Sequence, residues 1–183
     1  YATSVLLPLI PLLSAGLVDP GDIVADAKSG ATGAGRTLRE DLLFCEMAED
    51  FSAYAPGRSH RHVGEIEAVL HERSGQEVTL TFCPHLLPVK RGILTALYVK
   101  AKADVTELCR ALHAAYDGTP FVHVTNSPPR LSDVVQTNDC RISVHAAAQG
   151  RAVVFSTIDN LVKGAAGQAI QNLNLAMGWD ATD

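Results

Sequence analysis

Aromatic residues are scarce, at 5% of 183. That excludes a base-stacking platform for single-stranded nucleic acid. A basic surplus is lacking too. Fifteen Lys and Arg face twenty Asp and Glu, giving a net charge of −5 and a pI near 5.8. A nucleic-acid-binding domain shows the opposite balance. No apolar run is long enough to cross a bilayer. The run from Val5 to Leu13 is broken by Pro8 and Pro11, and a span needs about 20 residues. It carries no basic n-region, so it is not read as a secretory signal. There is no CxxC. The four cysteines (Cys45, Cys83, Cys109, Cys140) lie 38, 26 and 31 residues apart. They read as reduced thiols in a cytoplasmic protein, each a small buried hydrophobe. No Met opens the chain. It enters its apolar run directly from Tyr1, which leads us to expect a longer protein upstream.

What is present is a core. The chain is 47% hydrophobic with a mean hydropathy of +0.12. A chain of this length buries roughly 70% of its unfolded surface, so disorder is excluded.

Thr3 or Ser4 is a candidate cap for a helix running to about Ala15, with Gly16 as its stop and a kink expected at Pro8 or Pro11. Asp22–Lys28 reads as a strand, followed by a glycine-rich loop and a short helix over 37–45. His62–Arg73 is a helix with Val63, Ile66 and Leu70 on one face. Strands are expected at 78–83, 92–102, 121–124, 141–148 and 152–157. The last two are joined by a hairpin turn at Gln149-Gly150. Helices are expected over 105–116 and 162–177, the second with Ala166, Ile170, Leu173 and Met177 inward. Strands and helices mix without strict alternation. The fold class is therefore α+β, a mixed or antiparallel sheet with helices on one face.

Four segments hold candidate chemistry. Ser29–Arg36 has glycines at 30, 33 and 35, spaced GxxGxG rather than as a dinucleotide fingerprint. It reads either as an anion cradle or as a plain tight loop. Gly57–Glu65 carries His60 and His62 at a helix start. A helix N-terminus favours neutral imidazole, which suits an acid or base near neutral pH. Glu65 is close enough in sequence to orient a ring. Arg58 and Arg61 would repel a metal ion, so no metal is expected. The plain alternative is a solvated basic loop. Lys90-Arg91 before Gly92 is either a carboxylate or phosphate clamp or an exposed edge. Asp159-Asn160 is either an N-cap or a device that sets Asn160 against an amide or phosphate.

Together, YAT at 1–3, SGATGAGR at 29–36, HRHVGEIE at 60–67, FCPHLLPVKRGIL at 82–94 and DNLVKGAAGQAIQNLNLAMGW at 159–179 resemble the C-terminal half of the N-acetyl-gamma-glutamyl-phosphate reductase family. The match spans nearly the whole chain and is loosest over 103–150. The resemblance implies a fold like the C-terminal domain of glyceraldehyde-phosphate dehydrogenase. It divides the chain into a substrate-binding and dimerisation domain (1–160) and a C-terminal helix (161–183) packing towards an NADP-binding domain outside this sequence. It implies NADP(H) as cofactor, N-acetyl-gamma-glutamyl phosphate as substrate, a homodimer or homotetramer, and a nucleophilic cysteine just before Tyr1. His60 takes the acid/base place. Arg58, His62, Glu65 and Arg91 are implied substrate contacts, and Ser29, Gly30 and Asn160 cofactor contacts. A related acyl-phosphate reductase of aspartate-semialdehyde or aminoadipyl-phosphate type, or a non-catalytic assembly domain, are the alternatives.

Overall fold

A computed structural model describes all 183 residues. Five helices are α1 (Ala2–Ser14), α2 (Phe44–Met47), α3 (His62–Ser74), α4 (Val105–Tyr116) and α5 (Gly167–Met177). Seven strands are β1 (Val18–Gly30), β2 (Ser52–Ala53), β3 (Leu80–Leu87), β4 (Ile93–Ala101), β5 (Val122–Val124), β6 (Cys140–Ala146) and β7 (Arg151–Ile158). They form one sheet in the order β2-β3-β1-β4-β7-β6-β5. The β1–β3 and β5–β6 pairs are parallel and the others antiparallel. This is the mixed α+β sheet that the sequence pattern predicts. The β6–β7 hairpin turns where expected, with Gln149 at φ 60° and Gly150 at φ 71°, the two left-handed residues a tight primed turn needs.

Helices α1, α3 and α4 cover one face. Val5, Leu9, Leu12 and Leu13 of α1 are fully buried, with Ile66 and Leu70 of α3 and Leu108 and Leu112 of α4. They pack on Ala25, Phe82, Leu97, Val154 and Ile142 of the sheet. Each fully buried Leu or Ile contributes roughly 1.5–3 kcal/mol. Helix α1 runs unbroken through both prolines. Pro11 has no N–H for the carbonyl of Leu7, and the Tyr116 hydroxyl donates to that carbonyl instead at 2.5 Å. The expected Thr3 or Ser4 cap is replaced: Tyr1 occupies the cap position, and the Ser4 hydroxyl donates to the Tyr1 carbonyl at 2.8 Å.

The opposite face of the sheet has no helix against it. Paired positions Val24, Tyr98 and Val153 share it with Asp26, Ala96 and Phe155. Tyr98 is 40% exposed. On this face Asp26 joins Lys28 in an ion pair, and its Oδ1 lies 3.2 Å from His85 Nδ1.

Three local expectations are corrected. The region 37–45 holds only a 3-10 turn (Glu40–Leu42) and the start of the four-residue α2, because none of its apolar side chains finds the core. The last helix begins with a π-turn, Val162–Ala166. Beyond it, α5 packs on no part of the sheet, so Ala166, Ile170, Leu173 and Met177 are exposed. Asn174, on the same face, is buried where its Nδ2 donates to the Asp183 carbonyl at 2.9 Å. Of the cysteines, all free, Cys140 alone is buried and Cys45 is exposed.

Candidate active site

A cleft of about 930 Å³ opens where β1 ends and α3 begins. Its lining includes Tyr1, Ser29, Gly30, Tyr54, His60, Arg61, His62 and Asn160. So five of the sequence-predicted residues meet there: Ser29, Gly30, His60, His62 and Asn160.

His60 stands in an aromatic nest. Its ring lies 5.7 Å from Tyr1, 5.9 Å from Tyr54, 4.8 Å from His62 and 5.1 Å from Phe82, centroid to centroid. The His62 backbone N–H donates to His60 Nδ1 at 3.2 Å. With Nδ1 accepting, the neutral ring carries its proton on Nε2. Burial, and the nearby positive charge of Arg61, lower the His60 pKa. His60 is thus a neutral ring with an Nε2–H to donate. Taking a proton from a thiol at Nε2 would require the other tautomer and loss of the His62 bond. His62 is pushed down to about 4, first by burial and then by the neighbouring His60 and Arg61, and its Nδ1 is buried without a partner. The Tyr54 hydroxyl donates to Tyr1 Oη at 2.9 Å, and Tyr1 Oη donates to the His85 carbonyl at 3.1 Å.

The floor is a lock of two loops. Gly30 N–H donates to Gly92 O at 2.9 Å and Ala31 N–H to Val89 O at 2.9 Å. Asn160 Oδ1 accepts from Gly92 N–H at 2.7 Å, while its Nδ2 donates to Thr32 Oγ1 at 2.9 Å. Thr32 Oγ1 donates onward to Lys90 O at 2.6 Å. Gly30 is needed here for a different reason than positive φ. Its φ is −68°, but a Cβ on it would sit 2.8 Å from Arg91 N and 2.9 Å from the Lys90 carbonyl carbon. Asn160 spends its amide mainly on the protein.

Three predicted residues lie elsewhere. Arg58 grips Glu67 with two bonds of 2.7 Å. Arg91 pairs with Asp159 at 2.9 Å. Glu65 is exposed on α3. None of the three lines the cleft. Asp159 is fully buried. Burial pushes its pKa up. The N–H groups of Gln136, at 2.7 Å, and Leu161, at 2.7 Å, with the Arg91 guanidinium, outweigh that and hold it below the ordinary value. Lys163 is 2% exposed, donates to Gln171 Oε1 at 2.7 Å and lies 5.2 Å from the Phe121 ring centroid. It anchors the turn whose Gly164 and Ala165 line the cleft.

Sequence reasoning missed Tyr54, for which no local signal exists. It met Arg61 only as a repellent of metals.

A family model for the semialdehyde dehydrogenase dimerisation domain matches residues 1–160. The chain belongs to that family. N-acetyl-gamma-glutamyl-phosphate reductases are close in sequence. Those of Rhodospirillum rubrum and Geobacter metallireducens are 49% and 45% identical over the whole chain. The chain covers 53% and 54% of them, so it spans about half the length of these curated relatives. Among solved structures, aspartate semialdehyde dehydrogenase II from Vibrio cholerae aligns over 95% of this chain and 59% of its own, with TM-score 0.73 at 15% identity. The enzyme from Francisella tularensis aligns over 96% and 62%, with TM-score 0.72 at 16% identity. These two likenesses carry the fold alone. No helix is long and apolar enough to cross a membrane.

Proposed function

We propose that this chain is the substrate-binding and dimerisation half of an NADP-dependent N-acetyl-gamma-glutamyl-phosphate reductase. It would make N-acetyl-glutamate semialdehyde through a cysteine thioester, in the cytoplasm, for arginine synthesis. The observation that carries the reading is His60, a neutral Nε2–H donor beside Tyr1 at a cleft mouth, in a chain 45–49% identical to such reductases.

In this reading a thiolate from the residue before Tyr1 attacks the acyl phosphate, and phosphate leaves. NADP(H), when bound, supplies the hydride. His60 gives its Nε2 proton to the oxygen that gains negative charge. Burial keeps the ring neutral, so that proton is in place near neutral pH. His62 holds the ring through its backbone N–H. The cofactor's wall in this half would be Ser29, Gly30 and Asn160. The rim there is open, since a Cβ at Gly35 would meet nothing within 4 Å. Arg58 and Arg91 act at a distance, by holding α3 and the loop lock rather than by touching substrate, and exposed Glu65 has no part in the cleft.

The exposed side of α5, with Ile170, Leu173, Met177 and Trp179 more than half exposed, would face the rest of the longer protein. The bare sheet face around Tyr98 would meet a second copy, in a homodimer or within a homotetramer.

In the full-length protein, His60→Asn should leave the melting temperature unchanged and cut kcat by roughly 10²–10⁴-fold. Steady-state NADPH oxidation with the acyl phosphate reads it. Wild-type protein inert to acyl phosphates would overturn the assignment in favour of an assembly domain.

A further inference from the structure

Several of the cations around the cleft are committed. Arg39 binds Asp41 through Nε at 2.9 Å and a second contact. Arg58 is held by Glu67 and Arg91 by Asp159. Lys163 is turned into the protein against Gln171. Arg36 is unpaired, but it lines a shallow groove that adjoins the cleft, not the cleft itself. Arg61 is different. It lines the main cleft, is exposed, and has no carboxylate within 4 Å.

The cleft is also polarised. Glu46 and Asp50 stand, with the Arg39–Asp41 pair, on the wall formed by 36–54, and His60, Arg61 and His62 on the α3 side. Both histidines are held neutral near pH 7, so the positive end of the cleft is one guanidinium. An anion entering the cleft is repelled from one wall and finds one free fork on the other. A guanidinium offers phosphate or carboxylate two parallel N–H donors in a matching plane.

We propose that Arg61, rather than Arg58 or Arg91, is the residue that grips an anionic oxygen group of the substrate, and so fixes which way the substrate lies against His60. The inference rests on the reductase reading above. The substrate class of that reading carries two such groups, a phosphate and a carboxylate. Either has the chemistry to occupy the fork.

The test uses the full-length protein with Arg61→Met and Arg61→Lys. Arg61 makes no hydrogen bond within the protein, so both variants should fold with unchanged melting temperatures. The first arm is direct binding, by calorimetry, of inorganic phosphate and of N-acetylglutamate, separately. Arg61→Met should weaken one of them by about 10- to 100-fold, and Arg61→Lys should recover part of the loss. Weakened phosphate assigns the fork to the leaving group, and weakened N-acetylglutamate assigns it to the carboxylate. The second arm is turnover in the reverse direction, from semialdehyde, phosphate and NADP. Arg61→Met should raise the matching KM by a similar factor and leave the KM for NADP alone. The pH–rate limb due to His60 should also move upward, because a neighbouring positive charge is gone. A merely structural arginine would not move that limb. Unchanged binding of both anions by Arg61→Met, or equal losses for phosphate, N-acetylglutamate and NADP, would overturn the proposal. Anion binding lost in Arg61→Met while wild-type protein reduces no acyl phosphate would keep Arg61 as the anion grip and refute the reductase reading instead.

Discussion

The two walls of the cleft are built in opposite ways. One is lined by residues of 29–33 and 160–165 and backed by 89–92 and Asp159. Its backbone groups are cross-bonded, and it is closed by buried Asn160 and Asp159. The other is the segment 36–54. It carries one 3-10 turn, one four-residue helix and one two-residue strand, β2, at the sheet edge. Leu38 is 95% exposed there and Phe44 81%. The segment is tied down mainly at its end, where Tyr54 N–H donates to Pro84 O at 3.0 Å and the Tyr54 hydroxyl to Tyr1. The contrast separates two tasks. The locked wall sets positions to within a hydrogen bond's tolerance. The loose wall contributes charge and surface at little cost to stability, and its exposed apolar side chains are open to a neighbouring surface.

The comparison is most sharply tested on the locked wall. Asp159→Ala removes the partner of Arg91 and the acceptor for the N–H groups of Gln136, Leu161 and Val162. Breaking a buried pair this way should cost about 3–5 kcal/mol, read as a fall in the urea midpoint at unchanged slope. A cost near zero would show that the lock is not what holds this wall. Gly30→Ala should cost about 1–3 kcal/mol, the usual range for overpacking, because its Cβ meets backbone that cannot step aside. Thermal melts check it. A Gly30→Ala protein as stable as wild type would mean the 89–92 loop yields freely. On the loose wall, Phe44→Ser should change stability by no more than about 0.5 kcal/mol. A larger loss by the same melts would erase the distinction between the walls.

Much of this molecule is legible in its sequence because the signals are local. The stripe Val63, Ile66, Leu70 places α3 and its buried face, and Gln149-Gly150 places the hairpin. Periodicity reports burial wherever the element packs on the core of its own domain. It fails for α5. There the pattern is genuinely amphipathic, but α5 packs on no part of the sheet, so its apolar side stays exposed. The motif around His60 is equally legible, since two histidines at a helix start need no long-range partner to be noticed.

What only the tertiary structure decided is which polar side chains are free. Arg58, Arg61 and Arg91 are alike in sequence, each an arginine near a candidate loop. Their difference comes from residues 9 and 68 positions away, Glu67 and Asp159, which occupy two of the three. Gly30 is similar: a glycine in a loop suggests an unusual φ, yet it is demanded by the backbone of Lys90 and Arg91, brought beside it by the sheet. Composition, local pattern and motif determined the fold class and the family. Pairing of charge and close approach of backbone are long-range events, set by packing, and they decided which residues are left to meet a ligand.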